Sequence, residues 1–290
     1  MKILLNKFKY FLQFSIIAFL LILFKIIGLN FSRLISAKIL SSIGPIFKSR
    51  IITETNINQV FPNQKEVFKK KIVKDMWVTY GKILAEYNFI KNFRSKKFEE
   101  KIEIEGQDEL EKIKILNQPV IFVSGHFDNF ELMAMHIEKS GIDVAAIYRP
   151  LNNFFLNPIM ENIRKKYICK KQIKKGMSGT KDLLKYFKSG TSIALMIDQR
   201  VSEGIKIKFF GKDALTTTIP AQFVKKFNCK IVPIHIERKS DNNFKLKIFR
   251  ALDFSKDETI ESITMSLNSI LEKMITTNPG QWIWTHNRWK

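Results

Sequence analysis

From Phe98 onward, short runs of β-branched and aromatic residues alternate with segments whose apolar residues recur at the helical period. No other feature restricts the fold as much, because strands separated by helices of this length pair side by side in one sheet. The pattern predicts strands over Phe98–Ile104, Val120–Ser124, Ile142–Tyr148, Thr191–Ile197, Lys206–Phe210, Lys230–Ile236 and Phe244–Phe249. Between them it predicts helices over Gln107–Ile115, Glu131–Ile137, Phe154–Lys166, Gly179–Lys188, Pro220–Phe227 and Thr259–Thr276. The fold class is therefore α/β, with a mixed, largely parallel sheet flanked by helices. The sequence contains no internal repeat and no low-complexity linker.

The first hundred residues read differently. Tyr10–Phe24 is fifteen residues without a charge, short of the roughly 20 that span a bilayer, although a snorkelling Lys25 extends the apolar stretch to Leu29. No small-x-small cleavage site follows, so the segment is expected to be a retained anchor helix, spanning the bilayer or lying in its interface. Phe31–Ile46 continues amphipathically, with Arg33, Lys38, Lys48 and Arg50 as its basic residues and no acid, as suits a helix resting on anionic headgroups. Gly44-Pro45 is expected to end that helix, Asn56–Asn63 to form a turn, and Gln64–Ile90 to be helical. Three regions follow: an anchor over 1–30, a membrane-proximal helical region over 31–97, and an α/β domain over 98–290.

The net charge of +22 predicts attraction to anionic lipid, acidic protein or nucleic acid. Lys165, Lys166, Lys170, Lys171, Lys174 and Lys175 form its densest run. Nucleic acid ranks last, since no helix-turn-helix, zinc or single-strand-binding signature accompanies the charge. Cys169 and Cys229 follow no metal or redox spacing and the four histidines are scattered, so neither metal nor cofactor is expected.

The chemistry is expected where the buried strand Val120–Ser124 ends. Ser124-Gly125 turns the chain, Asp128 or Asn129 can cap the next helix, and His126 is placed at the lip of the strand. Glu131, five residues on, can orient the imidazole while the free nitrogen takes a proton. A capping histidine and a solvated first-turn glutamate fit the same spacing. Arg149 and Asp198 also follow strands, so they should reach the same edge of the sheet, the one to hold a phosphate or oxyanion and the other to orient an arginine or a hydroxyl. A structural arginine–carboxylate pair is the alternative for them. Gly176-Met-Ser178-Gly-Thr180 lacks the final glycine of a nucleophile elbow and reads as a helix cap.

Taken together, Gly125-His-Phe-Asp-Asn-Phe-Glu131, Tyr148-Arg-Pro150, Asp198-Gln199, Phe209-Phe-Gly211 with Thr216, and the tail Pro279-Gly-Gln-Trp-Ile-Trp-Thr-His-Asn-Arg-Trp-Lys290 resemble the bacterial lipid A late acyltransferases, the lauroyl and myristoyl transferases of lipopolysaccharide assembly. The resemblance runs over nearly the whole chain. It implies an enzyme of the bacterial inner membrane, its catalytic domain on the cytoplasmic face, that moves a fatty acyl chain from acyl carrier protein to a hydroxyl of an acylated, phosphorylated glucosamine disaccharide. By position it makes His126 and Glu131 the catalytic pair, with Arg149, Arg164 and Asp198 as further functional residues. The departures are Asp128 where glycine is usual, Phe130 for tryptophan, and Arg200 where an acid is common.

An acyl chain needs an apolar groove beside His126. Leu132, Met133 and Met135, Phe154 and Phe155, and Phe209 and Phe210 are its candidate walls, although Met and Phe at helical spacing also suit plain core. A lysophosphatidate or other lysolipid acyltransferase is the competing enzyme. Glu at position 131, where the glycerolipid branch favours Asp, and the tryptophan-rich tail argue for the lipid A branch.

Overall fold

A computed structural model describes residues 2–47 and 49–290, and the side chains of residues 2, 3, 47, 177 and 178 stand outside that description. Lys48 of the basic run and the cap expected of Ser178 thus lie outside the described residues. The helix there spans Met177–Lys188 with Gly176 at its cap position.

Seven strands form one sheet: β1 (Ile102–Glu105), β2 (Ile121–Ser124), β3 (Val144–Tyr148), β4 (Lys171–Lys174), β5 (Ser192–Met196), β8 (Ile231–Arg238) and β9 (Phe244–Ile248), in the order β1-β9-β8-β2-β5-β3-β4. All pairings are parallel except β8 with β9. The hairpin β6 (Ile205–Phe209) with β7 (Lys212–Thr216) stands apart. The mixed, mostly parallel α/β sheet expected from the alternation is what forms. β2 is buried at every position, as a central strand covered on both faces must be. β2, β3, β5 and β8 run parallel, so their C-terminal ends share one edge.

Two strands were not legible in the sequence. β4 begins and ends on lysine around the buried Ile173 at the sheet's edge, the charged composition of a strand that discourages further pairing. β7 is set by the two-residue turn Phe210-Gly211, both at positive φ (51° and 73°), which matches the twist of a tight hairpin.

The anchor region forms helix α1 (Lys2–Ile27), whose segment Leu4–Ile27 is long and apolar enough to cross a membrane and is almost entirely unburied. Helix α2 (Leu29–Phe47) runs through Gly44-Pro45 instead of ending there, because Gly44 lies against the Trp77 ring, where an added Cβ would sit 2.1 Å from a ring atom. Arg50–Val60 is helix α3, and not a turn from Asn56: buried Asn56 points inward and its Nδ2 donates to the carbonyls of Trp284 (2.8 Å) and His286 (2.7 Å). Helix α4 (Glu66–Glu86) crosses α2 at Gly81, where a Cβ would come within 2.4 Å of the Ser36 carbonyl oxygen. Helices α5 (Ile90–Arg94), α6 (Gln107–Leu116), α7 (Glu131–Lys139), α8 (Asn157–Ile163), α9 (Met177–Lys188), α10 (Ile219–Phe227) and α11 (Ile260–Thr277) complete the chain.

His235 on β8 is buried, with its ring edge-on to Phe127 at 4.6 Å. Burial, aided by the charge of Lys247, pushes its pKa down to about 4. The unfolded chain takes up this proton near pH 6.5 and the folded protein only near 4, so stability is lost as pH falls through that window, by up to about 3 kcal/mol. In urea titrations between pH 7 and pH 4, His235→Phe is expected to lose less stability than the native protein. Parallel slopes would show that His235 carries no such linkage.

Candidate active site

Four polar side chains stand at the shared strand edge. His126 follows β2, Arg149 follows β3, Asp198 follows β5, and Arg238 ends β8. The chain passes from β2 to His126 through Gly125, where a Cβ would sit 2.8 Å from the Phe127 ring. The imidazole is thereby drawn in over the strand ends.

The carboxylate bonded to His126 is that of Asp198, not Glu131. His126 Nδ1 lies 2.8 Å from Asp198 Oδ1, and the His126 backbone N–H donates to Oδ2 at 2.9 Å. Trp282 Nε1 donates to the same Oδ2 at 2.8 Å. Asp198 is fully buried; burial opposes its ionisation, but His126 and these hydrogen bonds outweigh that and hold its pKa down to about 2. It is a permanent anion behind the imidazole, and Nε2, bonded to none of the described residues, is left to take a proton.

Glu131 forms a separate unit. Its Oε1 accepts from Arg164 Nε (2.8 Å) and Tyr87 OH (2.5 Å), and Arg164 Nη2 approaches to 2.6 Å. Arg164 opens a π-helical turn over Arg164–Ile168, closed by Cys169 N–H donating to the Arg164 carbonyl at 2.9 Å. Such turns widen the backbone and re-aim a side chain. The guanidinium lies over the Tyr148 ring at 5.5 Å, and its buried Nη1 has no hydrogen-bond partner among the described residues.

Both units open onto one cavity of about 440 Å³. It begins at His126, Glu131, Arg164 and the exposed Arg149, and runs beneath α7 along Met133, Ala134 and Ile137. Its floor includes Phe122, Ala194, Ala146 and Gln172, which stand in register across β2, β5, β3 and β4. The three alanines are half-buried, although Ala194 and Ala146 sit in central strands, because the cavity lies over them. From His126 back to the row at Phe122 is four residues, at most about 13 Å if fully extended.

Of the seven expected groove residues only Met133 lines this cavity. Leu132 and Met135 are fully buried on other faces of α7. Phe154 and Phe155 pack on α1 instead, against Tyr10, Phe11 and Phe14. Phe209 is stacked on Trp289 at 5.7 Å with the Arg288 guanidinium 4.7 Å from its ring, and Phe210 packs beside it. Asp128 and Asn129 do not cap α7, which carries no side-chain cap. Asp128 stands at a positive φ of 35°, a conformation that favours glycine, and its carboxylate pairs with Arg238 at 2.5 Å. In the basic run Lys171 pairs with Asp143 (2.5 Å) and Lys174 with Glu161 (3.2 Å), while Lys175 reaches the cavity.

Tyr87, Trp282 and Arg238 were not singled out by sequence. Trp282 belongs to the tail that carries the resemblance. Tyr87 and Arg238 have no local signal, since their partners lie 44 and 110 residues away.

A strand-edge histidine held by a buried aspartate, an arginine with a free nitrogen, and an apolar cavity beneath them suit acyl transfer to a hydroxyl. The whole chain, residues 1–290, matches the family described as bacterial lipid A biosynthesis acyltransferase. The chain belongs to that family. It is 23% identical over 252 residues to the lipid A biosynthesis palmitoleoyltransferase of Escherichia coli (strain K12), across 85% of this chain and 80% of the relative. It matches the lipid A biosynthesis acyltransferase of Shigella flexneri to the same extent. Among solved structures, the 1-acyl-sn-glycerophosphate acyltransferase PlsC from Thermotoga maritima is similar with a TM-score of 0.42 and 14% identity, over 85% of this chain and 97% of that one. This family member is an acyltransferase of lipid A biosynthesis, and its acceptor is a glycolipid.

Proposed function

We propose that the enzyme transfers a fatty acyl chain from the thioester of acyl carrier protein to a hydroxyl of an acylated, phosphorylated glucosamine disaccharide, with His126 as general base and Asp198 as its orienting carboxylate. The observation that carries this reading is the His126–Asp198 pair with its free Nε2 at the head of an apolar cavity. The acceptor hydroxyl gives its proton to Nε2 as its oxygen attacks the thioester carbon. The resulting oxyanion is stabilised by the Arg164 guanidinium, whose Nη1 has no hydrogen-bond partner among the described residues. Collapse of the intermediate breaks the carbon–sulfur bond, and His126 returns the proton to the departing thiolate. Arg149 and Lys175 at the cavity's rim supply positive charge for the acceptor's phosphates.

The inner membrane, with the catalytic domain on the cytoplasmic face, is the matching location, because an acyl carrier thioester is a cytoplasmic donor. Its support is the unburied apolar helix α1, continued by Phe31, Leu34, Ile43 and Ile46 exposed along α2. The net charge of +22 favours both the anionic leaflet and an acidic carrier.

The test is transfer by the purified full chain in detergent, with the disaccharide and lysophosphatidate offered as competing acceptors and the products read by mass spectrometry. Acylation of the disaccharide is expected; acylation of lysophosphatidate alone would overturn the reading. The same assay run over a ladder of acyl lengths checks the cavity. Ala146→Leu or Ala194→Leu shortens the floor, so the optimum should move to shorter chains, with roughly fourfold lost in kcat/KM per excluded methylene. An equal loss at every length would place the ruler elsewhere.

A further inference from the structure

Behind His126 lies a buried cluster of two arginines and two acids that no step of the chemistry uses. Arg238 Nη1 and Nη2 bond Glu86 at 2.6 and 3.1 Å, and Nε and Nη2 bond Asp128 at 3.0 and 2.5 Å. Arg33 Nε bonds Glu86 Oε1 at 2.6 Å, and Asn129 Nδ2 bonds Glu86 Oε2 at 2.8 Å. All four charged residues are buried, and with both acids ionised their charges sum to zero, although burial pushes the Asp128 carboxyl up against the pull of Arg238. Burial opposes ionisation of Glu86, but Arg238 and Arg33 overcome it and keep its pKa below the ordinary carboxylate value.

The four residues come from four elements: Arg33 from α2, Glu86 from the end of α4, Arg238 from the end of β8, and Asp128 from the turn that carries His126. Apolar residues of the same volume would hold the helices together about as well, since desolvation cancels much of a buried ion pair's attraction. Directional bonds to Asp128 and Asn129 instead fix the backbone two and three residues after His126. The fixing extends to the other side of the imidazole. Asp128 N–H donates to the Gln281 carbonyl (2.9 Å), and Gln281 is clipped to the Arg238 backbone by bonds of 2.7 and 2.9 Å. The next residue is Trp282, whose indole holds Asp198.

We infer that Arg238, Glu86 and Arg33 are positioning residues that set the His126–Asp198 geometry and tie it to the seating of α2, the helix that exposes Phe31 and Leu34 on its outer face. This rests on the reading of His126 as the base, and it is tested with two double variants that each remove one positive and one negative charge. Asp128→Asn with Arg238→Met cuts the tie to the turn; Arg33→Met with Glu86→Gln cuts the tie to α2. A displacement of an ångström at a general base costs up to about 100-fold, so kcat is expected to fall about 10- to 100-fold in the first and several-fold in the second, with donor KM unchanged. The downfield proton resonance of the His126 Nδ1–H···Asp198 bond, read without substrate, should broaden or vanish in the first. Should that double variant not fold, Arg238→Lys keeps the charge, loses the fork, and should show the same kcat loss at unchanged KM. Native kcat with an intact resonance in the variants, or a fall in thermal stability alone, would overturn the inference. A lost resonance with native kcat would uphold the positioning and sink His126 as base.

Discussion

Asp198→Asn is expected to lower turnover about 10²- to 10⁴-fold, the range seen when a general base or its orientation is lost, and His126→Ala at least as much. The asparagine keeps the shape of the buried site but cannot answer both the imidazole N–H and the indole N–H of Trp282 as a carboxylate does. It therefore leaves His126 in mixed orientation and without the anion that stabilises its protonated form. Asp198 titrates near 2, so it stays ionised throughout the working range and the difference between the two proteins should persist across neutral pH. Steady-state kinetics with an acyl carrier thioester, alongside circular dichroism for the fold, make the check. Near-native turnover in Asp198→Asn, together with collapse in Glu131→Gln, would return the orienting role to Glu131.

Arg164 carries the second large expectation, and it is double. Arg164→Ala leaves Glu131 buried without its main cation, a change that costs about 3–5 kcal/mol when a buried pair is broken from one side. It also removes the guanidinium proposed to meet the oxyanion, so kcat should fall at least about 10²-fold. Arg164→Lys separates the two effects. Lysine restores a charge beside Glu131 but presents no planar fork, so the urea midpoint should recover while kcat stays low. If Arg164→Lys turned over at the native rate, the guanidinium would not be on the reacting oxygen, and its role would be to hold Glu131 and Tyr87 in place.

Much of the site was legible because it depends on strand ends. Any apolar run of five residues followed by a turn delivers its next residue to the sheet edge, and in a parallel sheet those edges coincide. His126, Arg149 and Asp198 were found this way: His126 and Asp198 are hydrogen-bonded, and Arg149 lines the same cavity as His126. Arg164 was reached only through the family resemblance, since no periodicity marks a π-helical turn. The partner of His126 was misjudged for a physical reason: closeness in sequence favours Glu131, but Glu131 begins α7, and the helix carries it round to Arg164 and Tyr87. Asp198, 72 residues away, is brought within 2.8 Å by the pairing of β5 with β2.

The groove shows the same division. Sequence identified which side chains are large and apolar, and so proposed Phe154, Phe155, Phe209 and Phe210. Those rings instead pack against aromatic residues of α1 and of the C-terminal tail. The cavity has room instead beside three alanines, since space over a sheet is left by what a residue lacks, and Ala134, Ala146 and Ala194 become neighbours only through strand register and the setting of α7. The sequence by itself determined the α/β class, the apolar first helix and the strand-edge position of the histidine, because each follows from local periodicity. Which carboxylate holds that histidine, where an acyl chain has room, and that Arg33, Glu86, Asp128 and Arg238 close into one buried cluster were decided by tertiary structure, because those pairings join residues up to 152 positions apart that no local preference connects.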